Sequence, residues 1–394
     1  MTDDPVVILG YARTPMGGFQ GALSGMKATE LGAAAIRAAV ERSGMERSMI
    51  DRVYMGCVLP AGLGQAPARQ AALGAGLPQS AEATTVNKMC GSGMQAVIMA
   101  AEALASGAAA AIVAGGMESM SNAPYALPKH RAGARIGHDR VIDTMMMDGL
   151  EDAYAPGKPM GAFAEDAVRE YQFSRAEQDD YALRSLSRAT DAIASGAFAH
   201  EIEPVRVPGR GGDVIVDTDE QPGKARPDKI PSLKPAFLEG GTITAANASS
   251  ISDGAAALLL TRASVAVKHG LPAIARIVAT AAHAHDPAKF TTAPVPAIRK
   301  LLEKTGWSIG DVDLFEINEA FAVVAMIAAR DLSIPADKLN VNGGATALGH
   351  PIGASGARIL ATLLAALQNR GLKRGIASLC IGGGEATAIA VELM

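Results

Sequence analysis

The chain has 394 residues, 49% of them hydrophobic and 19% charged, a composition that excludes a disordered protein and predicts a large buried core. Its 36 basic and 40 acidic residues give a net charge of only -4, so the protein has no overall positive field to hold a nucleic acid or an anionic membrane surface. We therefore expect neither partner. The length predicts two or three domains, or one two-lobed α/β unit.

The cysteines and the N-terminal sequence indicate the compartment. Cys57, Cys90 and Cys380 are odd in number and far apart, which is not the pattern of a disulfide framework, so we expect a reducing cytosol. The opening sequence MTDDPVVILGYARTP lacks the basic region and long apolar stretch of an export signal. The Ala-rich segment from Glu102 to Met117 is interrupted by Gly107, and we expect a buried helix and strand there rather than a membrane span.

Strand and helix patterns alternate from the N terminus. In chain order the periodicity predicts a strand at Val6–Leu9, a helix at Ala28–Arg42, strands at Val53–Val58 and Thr84–Val86, a helix of about 15 residues from Gly93, and a strand at Ala110–Ala114. This alternation predicts a layered α/β fold.

The middle of the chain differs in composition. Between about residue 119 and residue 245 Pro, Arg, Lys, Asp and Met become frequent, which is typical of an inserted lid or loop domain. Ser174 and Glu177 have the spacing of a capping box, so a helix is predicted to start there and to run to Ser195.

The two ends of the chain resemble each other weakly. Val86-Asn87 opens a Gly-rich turn followed by a long helix and a strand, and Val341-Asn342 opens another, followed by a helix at Ala354–Gln368 and a strand. Coincidence is one explanation. The other is two similar halves whose turns face one ligand between them.

Cys90 lies in VNKMCGSGMQA, between a predicted strand and a predicted helix. A cysteine at a helix N terminus is near unpaired backbone N–H groups, which lower the pKa of its thiol and favour a nucleophilic thiolate. The alternative is a small buried hydrophobic residue, the usual role of an unpaired cysteine.

Two further Gly-rich turns carry reactive side chains. His350, in NGGATALGHPIGASGAR, is placed to accept a thiol proton at neutral pH, although a single histidine is more often structural or solvated. Cys380 ends a predicted strand before IGGGEA, where backbone N–H groups can form an oxyanion hole; a simple tight connection is the alternative. Asn318 in NEAFA and Ser249 in TAANASSISDGAAA either cap backbone or face a site.

Together the stretches VNKMCGSGMQA, GGMESMS, TAANASSISDGAAA, NEAFA, NGGATALGHPIGASGAR and CIGGGEA resemble the thiolase family, in order and spacing, along essentially the whole chain. The resemblance implies a five-layered α-β-α-β-α fold of two similar halves, and a homo-oligomer, dimer or tetramer. The N-terminal half would comprise residues 1–118 and 246–269, the C-terminal half residues 270–394, and residues 119–245 an inserted loop domain covering the CoA site.

The resemblance also implies a two-step acyl transfer between CoA thioesters. Cys90, deprotonated by His350, takes the acyl group from acyl-CoA, and free CoA leaves. Cys380 then removes a proton from acetyl-CoA, and the enolate attacks acyl-Cys90 to give a 3-oxoacyl-CoA; thiolysis is the reverse. His350 and a water held by Asn318 stabilise the enolate, while N–H groups of Cys90 and Gly382 serve the acyl-enzyme thioester.

The same resemblance places a set of mainly apolar residues along the CoA channel: Ser249, Leu150, Met160, Phe237 and Phe321. It makes Cys57 a bystander and requires neither a metal nor a separate cofactor, since the partners acetyl-CoA, 3-oxoacyl-CoA and CoA are the reactants. Two departures from the family pattern, Pro159 before Met160 and Phe290 in FTTAP, affect this channel.

The first expectation is therefore an acetyl-CoA C-acetyltransferase that makes and cleaves acetoacetyl-CoA. The main alternative is a 3-ketoacyl-CoA thiolase of broad chain length from fatty-acid β-oxidation. A condensing enzyme for carrier-protein substrates is disfavoured by Cys380, and a non-catalytic acyl-CoA binding protein by the intact set of reactive residues. A cysteine hydrolase would release free acid instead of requiring an acceptor thioester.

Overall fold

The computed structural model describes residues 4–209 and 211–394; the first three residues of the predicted N-terminal stretch lie outside it. The strands, in chain order, are β1 (Val6–Arg13), β2 (Gly17–Gly18), β3 (Arg52–Gly56), β4 (Glu82–Val86), β5 (Ala111–Ser119), β6 (Tyr125–Ala126), β7 (Ile142–Asp143), β8 (Val205–Val207), β9 (Val214–Val216), β10 (Ser252–Arg262), β11 (Ala275–Ala284), β12 (Leu314–Ile317), β13 (Arg374–Ile381) and β14 (Glu385–Leu393).

The α-helices are α1 (Ala28–Ser43), α2 (Pro67–Gly74), α3 (Ser92–Ala105), α4 (Met160–Tyr171), α5 (Arg175–Ala194), α6 (Glu220–Lys224), α7 (Ala263–Lys268), α8 (Pro294–Thr305), α9 (Ala322–Leu332), α10 (Ala345–Leu348) and α11 (Ser355–Arg370). A π-helical turn covers Met146–Leu150. Among the described residues, no helix is long and apolar enough to cross a membrane.

The long strands form one mixed sheet in two parts. Its order is β12-β13-β14-β11-β1-β10-β5-β3-β4, with β2 pairing to β10. The first part of the chain supplies β4, β3, β5, β10 and β1, and the last part supplies β11 to β14. The two parts join where β1 pairs with β11 over Val7 and Ile8. Each part has one parallel region, β3 with β4 and β5 in one and β12 with β13 in the other.

Helices cover both parts and fill the space between them. Helices α1 and α2 pack on the outer face of the first part, α8 and α9 on the outer face of the second, and α3 and α11 contact each other and both parts from between. The layers therefore follow the order α-β-α-β-α, as the family resemblance implied. Separate apolar cores fill the outer and the central helix–sheet contacts, which is why all three layers of helices have buried faces.

The predicted elements are found close to their predicted bounds. The helix predicted at Ala28–Arg42 is α1, and it ends at Gly44, whose φ of 71° gives the left-handed cap typical of glycine. The helix predicted from Ser174 is α5, with the Ser174 and Glu177 capping box present. The strand predicted at Val6–Leu9 extends to Arg13 because β1 pairs with β10 along its full length.

Residues 119–245 contain α4, α5, α6 and the hairpins β6–β7 and β8–β9, which form sheets of their own. The buried side chain of Arg13, the last residue of β1, links this segment to the sheet. Its guanidinium donates two hydrogen bonds to Asp219, at 2.7 and 2.8 Å, and one to Glu201. Thr362 of α11 donates to the same Glu201 carboxylate at 3.1 Å, so three parts of the chain meet at one buried ion cluster.

Replacing Arg13 with methionine is expected to destabilise the fold by about 3–5 kcal/mol, because two fully buried carboxylates would lose their shared cation. Urea unfolding followed by circular dichroism measures this free energy. The matched control is Arg206→Met, since Arg206 pairs with Asp213 on the exposed surface, where such a pair is worth about 0–1 kcal/mol. Equal losses in the two variants would contradict the role assigned to Arg13.

Candidate active site

Cys90 lies in the turn between β4 and α3. Met89 before it has a positive φ of 47°, a conformation that non-glycine residues rarely adopt outside functional turns. The turn is held by Ser92, whose Oγ accepts from Lys88 N at 2.8 Å and donates to Met89 O at 2.6 Å. The thiol of Cys90 thereby lies on the wall of a cavity.

Burial raises the pKa of the Cys90 thiol to about 11. The backbone N–H groups of Gly382 and of Cys90 itself oppose this shift, and the charge of Glu118 adds to it. The backbone N–H groups do lower this pKa, as the sequence predicts, but the predicted net lowering is wrong because burial outweighs the two N–H groups. At neutral pH the thiol keeps its proton, so a nucleophilic role requires a base.

His350 has the properties of that base. It follows Gly349, whose φ of 104° only glycine adopts readily, and it lines the same cavity. Its Nδ1 is 2.6 Å from Ser355 Oγ, and that hydroxyl donates to the carbonyl of Pro351 at 2.9 Å. Since the hydroxyl hydrogen is used there, Ser355 accepts from Nδ1, which leaves Nε2 with a free lone pair.

The protonation state of His350 follows from its surroundings. Burial, with a smaller contribution from the positive charge of Arg358, lowers the pKa of the imidazole to about 3. The ring is therefore neutral at physiological pH. No described residue makes a hydrogen bond to its buried Nε2, so this atom is available to take a proton from a neighbouring group.

Cys380 is the second last residue of β13 and is buried close to Cys90. The pKa of its thiol is raised well above the ordinary value, first by burial and then by the nearness of a charge on Cys90. Two thiolates in this cavity repel each other, so the arrangement favours one thiolate at a time. Such a pair suits a reaction in which the two sulfurs act in turn.

The turn after Cys380 reaches back to the nucleophile turn. Gly383 and Gly384 have positive φ values of 95° and 85°, and the N–H of Gly382 faces the Cys90 sulfur. An ion pair between Lys88 and Glu385 joins the two turns at their outer side. The N–H groups of Cys90 and Gly382 thus both lie close to the Cys90 sulfur, where an oxyanion hole for a thioester bound to this residue would be needed.

Asn318 stands behind His350 instead of on the cavity wall. Its backbone N–H donates to Ser378 O at 3.0 Å, and its side-chain Nδ2 lies 3.5 Å from His350 Nδ1, too far for a strong hydrogen bond. Its Oδ1 is buried and unpaired among the described residues. All the other residues predicted for the site line the cavity: Cys90, His350, Cys380, Gly382, Ser249, Leu150, Met160, Phe237 and Phe321.

The cavity has a volume of about 390 Å³ and a mainly apolar wall. Phe321 packs edge-to-face against Phe237 and Phe290, with ring centroids 5.8 and 6.3 Å apart. The hydroxyl of Ser249 donates to Ala320 O at 2.9 Å. Pro159 and Phe290, the two departures noted in the sequence, both belong to the wall. A narrow apolar channel that ends at two thiols and an imidazole suits a thioester on a flexible arm.

Sequence reasoning missed two supporting residues. Ser355, which orients His350, and Glu118, a buried carboxylate beneath the site, both lie inside stretches already quoted as motifs. The available signal for Glu118 was a lone charged residue at the end of an apolar strand. Cys57, expected to be a bystander, lies 3.6 Å from Glu118 and does not line the cavity. The described residues include no group of three or more His, Cys, Asp or Glu side chains placed to hold a metal.

The thiol pKa predicts how Cys90 reacts with iodoacetamide. The thiolate is the reactive form, so below the pKa its fraction and the alkylation rate rise about tenfold for each pH unit. With a pKa of about 11, the rate is expected to rise through about pH 6 to about pH 9 without levelling off. Peptide mapping by mass spectrometry follows Cys90 separately from the two buried cysteines. A plateau near neutral pH would show a preformed thiolate instead.

Comparisons with known proteins agree with this geometry. Residues 6–264 match the thiolase N-terminal domain and residues 271–393 the thiolase C-terminal domain. Acetyl-CoA acetyltransferase 2 of Arabidopsis thaliana is 51% identical over 392 residues, covering 99% of this chain and 97% of that protein. An acetyl-CoA acetyltransferase of Rhizobium meliloti is 50% identical over 393 residues, covering 100% of both.

Solved structures give the same result. A thiolase from Ascaris suum in complex with coenzyme A superposes with a TM-score of 0.94 at 41% identity, covering 99% of this chain and 100% of that one. The acetyl-CoA acetyltransferase of Bacillus anthracis superposes with a TM-score of 0.96 at 42% identity, covering 99% of each chain. With matches to both family domains and full-length relatives near half identity, the chain belongs to the thiolase family.

Proposed function

We propose that this thiolase is an acetyl-CoA C-acetyltransferase, which condenses two acetyl-CoA molecules to acetoacetyl-CoA and CoA and catalyses the reverse thiolysis. The observation that carries the proposal is the meeting of two thiols, Cys90 and Cys380, with the neutral imidazole of His350 in one apolar cavity. The names of the relatives, acetyl-CoA acetyltransferases across the full length, support the same activity.

In the first half-reaction the proton of Cys90 moves to Nε2 of His350. The thiolate attacks the thioester carbon of acetyl-CoA, and the N–H groups of Cys90 and Gly382 stabilise the negative charge on the oxygen. The bond from that carbon to the CoA sulfur breaks, and the departing sulfur takes a proton from Cys380. The result is acetyl-Cys90, a protonated His350 and a thiolate at Cys380.

In the second half-reaction the Cys380 thiolate removes a proton from the methyl group of a second acetyl-CoA. The N–H of protonated His350, with Asn318 behind it, stabilises the enolate oxygen. The enolate carbon attacks acetyl-Cys90, a carbon-carbon bond forms, and the bond to the Cys90 sulfur breaks. The Cys90 thiolate takes its proton back from His350, and acetoacetyl-CoA leaves. CoA thioesters are the substrates, and the scheme uses no further cofactor.

A preference for short acyl groups is supported by the wall behind Cys90. There an apolar cluster forms from Val58, Leu59, Met120, Met145 and Ile352, with Met89, Met146 and Leu150 packed on it. We infer that this packing limits the space for a long acyl chain beyond the cysteine. A thiolase of broad chain length would require an opening at this point.

Thiolysis of acetoacetyl-CoA and of 3-oxohexadecanoyl-CoA in the presence of free CoA tests the proposal. We expect rapid cleavage of the short substrate and little cleavage of the long one. Comparable rates on both would make the protein a broad β-oxidation thiolase. Release of free acetate from acetyl-CoA without an acceptor would point to a hydrolase, and no turnover of either substrate to a non-catalytic protein.

We also propose a homo-oligomer, dimer or tetramer, acting in the cytoplasm in lipid and fatty-acid metabolism. Apolar side chains exposed on the β6–β7 hairpin and its loop support assembly, with Tyr125 67%, Ile136 93% and Val141 62% exposed. The three cysteines are free, as is usual in a reducing compartment. Light scattering of the protein and of a Tyr125→Ser/Val141→Ser variant tests assembly: a smaller mass for the variant is expected, and a monomeric parent protein would contradict it.

A further inference from the structure

Glu118 is a buried carboxylate that the proposed reaction does not use. It is the second last residue of β5 and has no exposed surface. Burial raises the pKa of its carboxyl to about 7, although several backbone N–H groups lower it. A carboxylate kept in such a place needs strong partners, because an unpaired one would cost several kcal/mol. Its partners therefore indicate what it does.

Three backbone N–H groups from two separate segments donate to this carboxylate. Val58 and Leu59, which follow β3, donate at 2.9 and 3.1 Å. Gly353, three residues after His350, donates at 2.8 Å. Glu118 is thus a polar link between the first part of the chain and the loop that carries the catalytic histidine.

The His350 loop and β5 are tightly packed around Glu118. A Cβ atom on Gly353 would lie 2.5 Å from Glu118 Oε2, and one on Gly116 would lie 2.0 Å from Gly353 O. Real Cβ atoms do not approach that closely, so the His350 loop sits directly on β5. A carboxylate of this length holds the loop at a fixed distance from the strand.

The segments that donate hydrogen bonds to Glu118 also pack against the Cys90 turn. Val58 and Leu59 pack with Ile352 in the apolar cluster that contacts Cys90. The negative charge of Glu118 is close enough to raise the pKa of the Cys90 thiol. Both the position of His350 and the titration of Cys90 therefore depend on the same buried side chain.

We propose that Glu118 is a positioning residue for acyl transfer: its carboxylate fixes the His350 loop and the Val58–Leu59 segment against the Cys90 turn. Its charge adds to the larger effect of burial, which disfavours the Cys90 thiolate. This inference rests on the proposed function, because it assigns His350 and Cys90 their roles as base and nucleophile. A residue that only stabilises the fold would affect neither kcat at fixed stability nor the titration of Cys90.

The test compares Glu118→Gln with Glu118→Asp. Glutamine keeps the length but replaces one accepting oxygen with a donor and removes the charge, whereas aspartate keeps the charge and shortens the reach. We expect kcat for acetoacetyl-CoA thiolysis to fall about 10- to 100-fold in the glutamine variant, with KM within about twofold, because small displacements of a catalytic group have effects of this size. The aspartate variant should show an intermediate kcat.

Alkylation of Cys90 by iodoacetamide provides the second readout. Removing the negative charge should make the thiolate easier to form, so the alkylation profile of Glu118→Gln is expected to move to lower pH, while that of Glu118→Asp stays near the parent profile. Comparison of the two variants therefore separates the effect of side-chain length at position 118 from the effect of its charge. Since alkylation needs no substrate, this readout stands apart from the activity assay.

The matched control is Cys57→Ala. Its thiol is the other contact of the Glu118 carboxylate, at 3.6 Å, and its removal leaves all three N–H bonds in place. We expect a kcat within about twofold of the parent value.

Wild-type kcat in a folded Glu118→Gln variant would overturn the positioning role. An unshifted alkylation profile would overturn the effect of the Glu118 charge on Cys90. If the glutamine variant does not fold, the aspartate variant decides: a lowered kcat at unchanged KM supports positioning, and a parental kcat refutes it. If instead the parent protein shows no thiolysis, or Cys90→Ala retains it, the proposed function itself fails, and only the alkylation result then bears on Glu118.

Discussion

Replacing Cys90 with alanine is expected to lower kcat for acetoacetyl-CoA thiolysis by roughly 10⁴-fold or more, because the acyl group has no other attachment point in the cycle. Cys380 cannot substitute, since its sulfur is fully buried and its thiol pKa is raised well above the ordinary value. Thiolysis is followed by the loss of the acetoacetyl-CoA enolate absorbance, and acyl transfer by exchange of labelled CoA into acetyl-CoA. Both activities should disappear together.

The control for this variant is Cys57→Ala, which removes a cysteine away from the cavity. Circular dichroism and the unfolding temperature show whether both variants are folded. Exchange of labelled CoA by a folded Cys90→Ala protein at more than about a hundredth of the parent rate would mean that another residue carries the acyl group.

Replacing Cys380 with alanine is expected to separate the two half-reactions. Carbon-carbon bond chemistry should fall by about 10²- to 10⁴-fold, the range for loss of a general base or acid. At this step Cys90 is acetylated and His350 is protonated, and the described residues of the cavity wall include no other base for the methyl proton. Exchange of labelled CoA should be slowed, because Cys380 no longer protonates the departing CoA sulfur, but it should persist, since Cys90, His350 and the oxyanion hole remain. Acetyl-Cys90 should then accumulate when acetyl-CoA is supplied.

Rapid mixing with labelled acetyl-CoA and acid quenching measures that accumulation. A Cys380→Ala variant that cleaves acetoacetyl-CoA at the parent rate would remove Cys380 from the mechanism. A variant that loses exchange as completely as Cys90→Ala would instead make Cys380 essential for the first half-reaction. The proposal predicts neither result.

The local elements were predictable from the sequence because their signals are local. The capping box of Ser174 and Glu177 fixed the start of α5, and the glycine after α1 marked its end. The similar turns near Val86 and Val341 indicated two related halves, and α3 and α11, which follow those turns, do lie side by side in the central layer. The residue ranges assigned to the inserted domain stay a prediction.

The residues that form the site could be predicted from the sequence, but the pKa values of their side chains could not. Gly-rich turns after strands made Cys90, His350 and Cys380 candidates, the resemblance to the thiolase family assigned them to one site, and the structure brings all three to one cavity. The pKa of Cys90 was predicted in the wrong direction, since its burial depends on elements distant in sequence. Glu118 was missed as a functional residue for the same reason: its partner Gly353 lies 235 positions away, a pairing that no local pattern reports.

Intact-protein and peptide mass spectrometry after brief incubation with acetyl-CoA and acid quenching would show which residue carries the acyl group. We expect one added acetyl group per chain, located on Cys90, absent from Cys90→Ala and removed by adding free CoA. An acetyl group on Cys380, or none on a protein that still cleaves acetoacetyl-CoA, would contradict it.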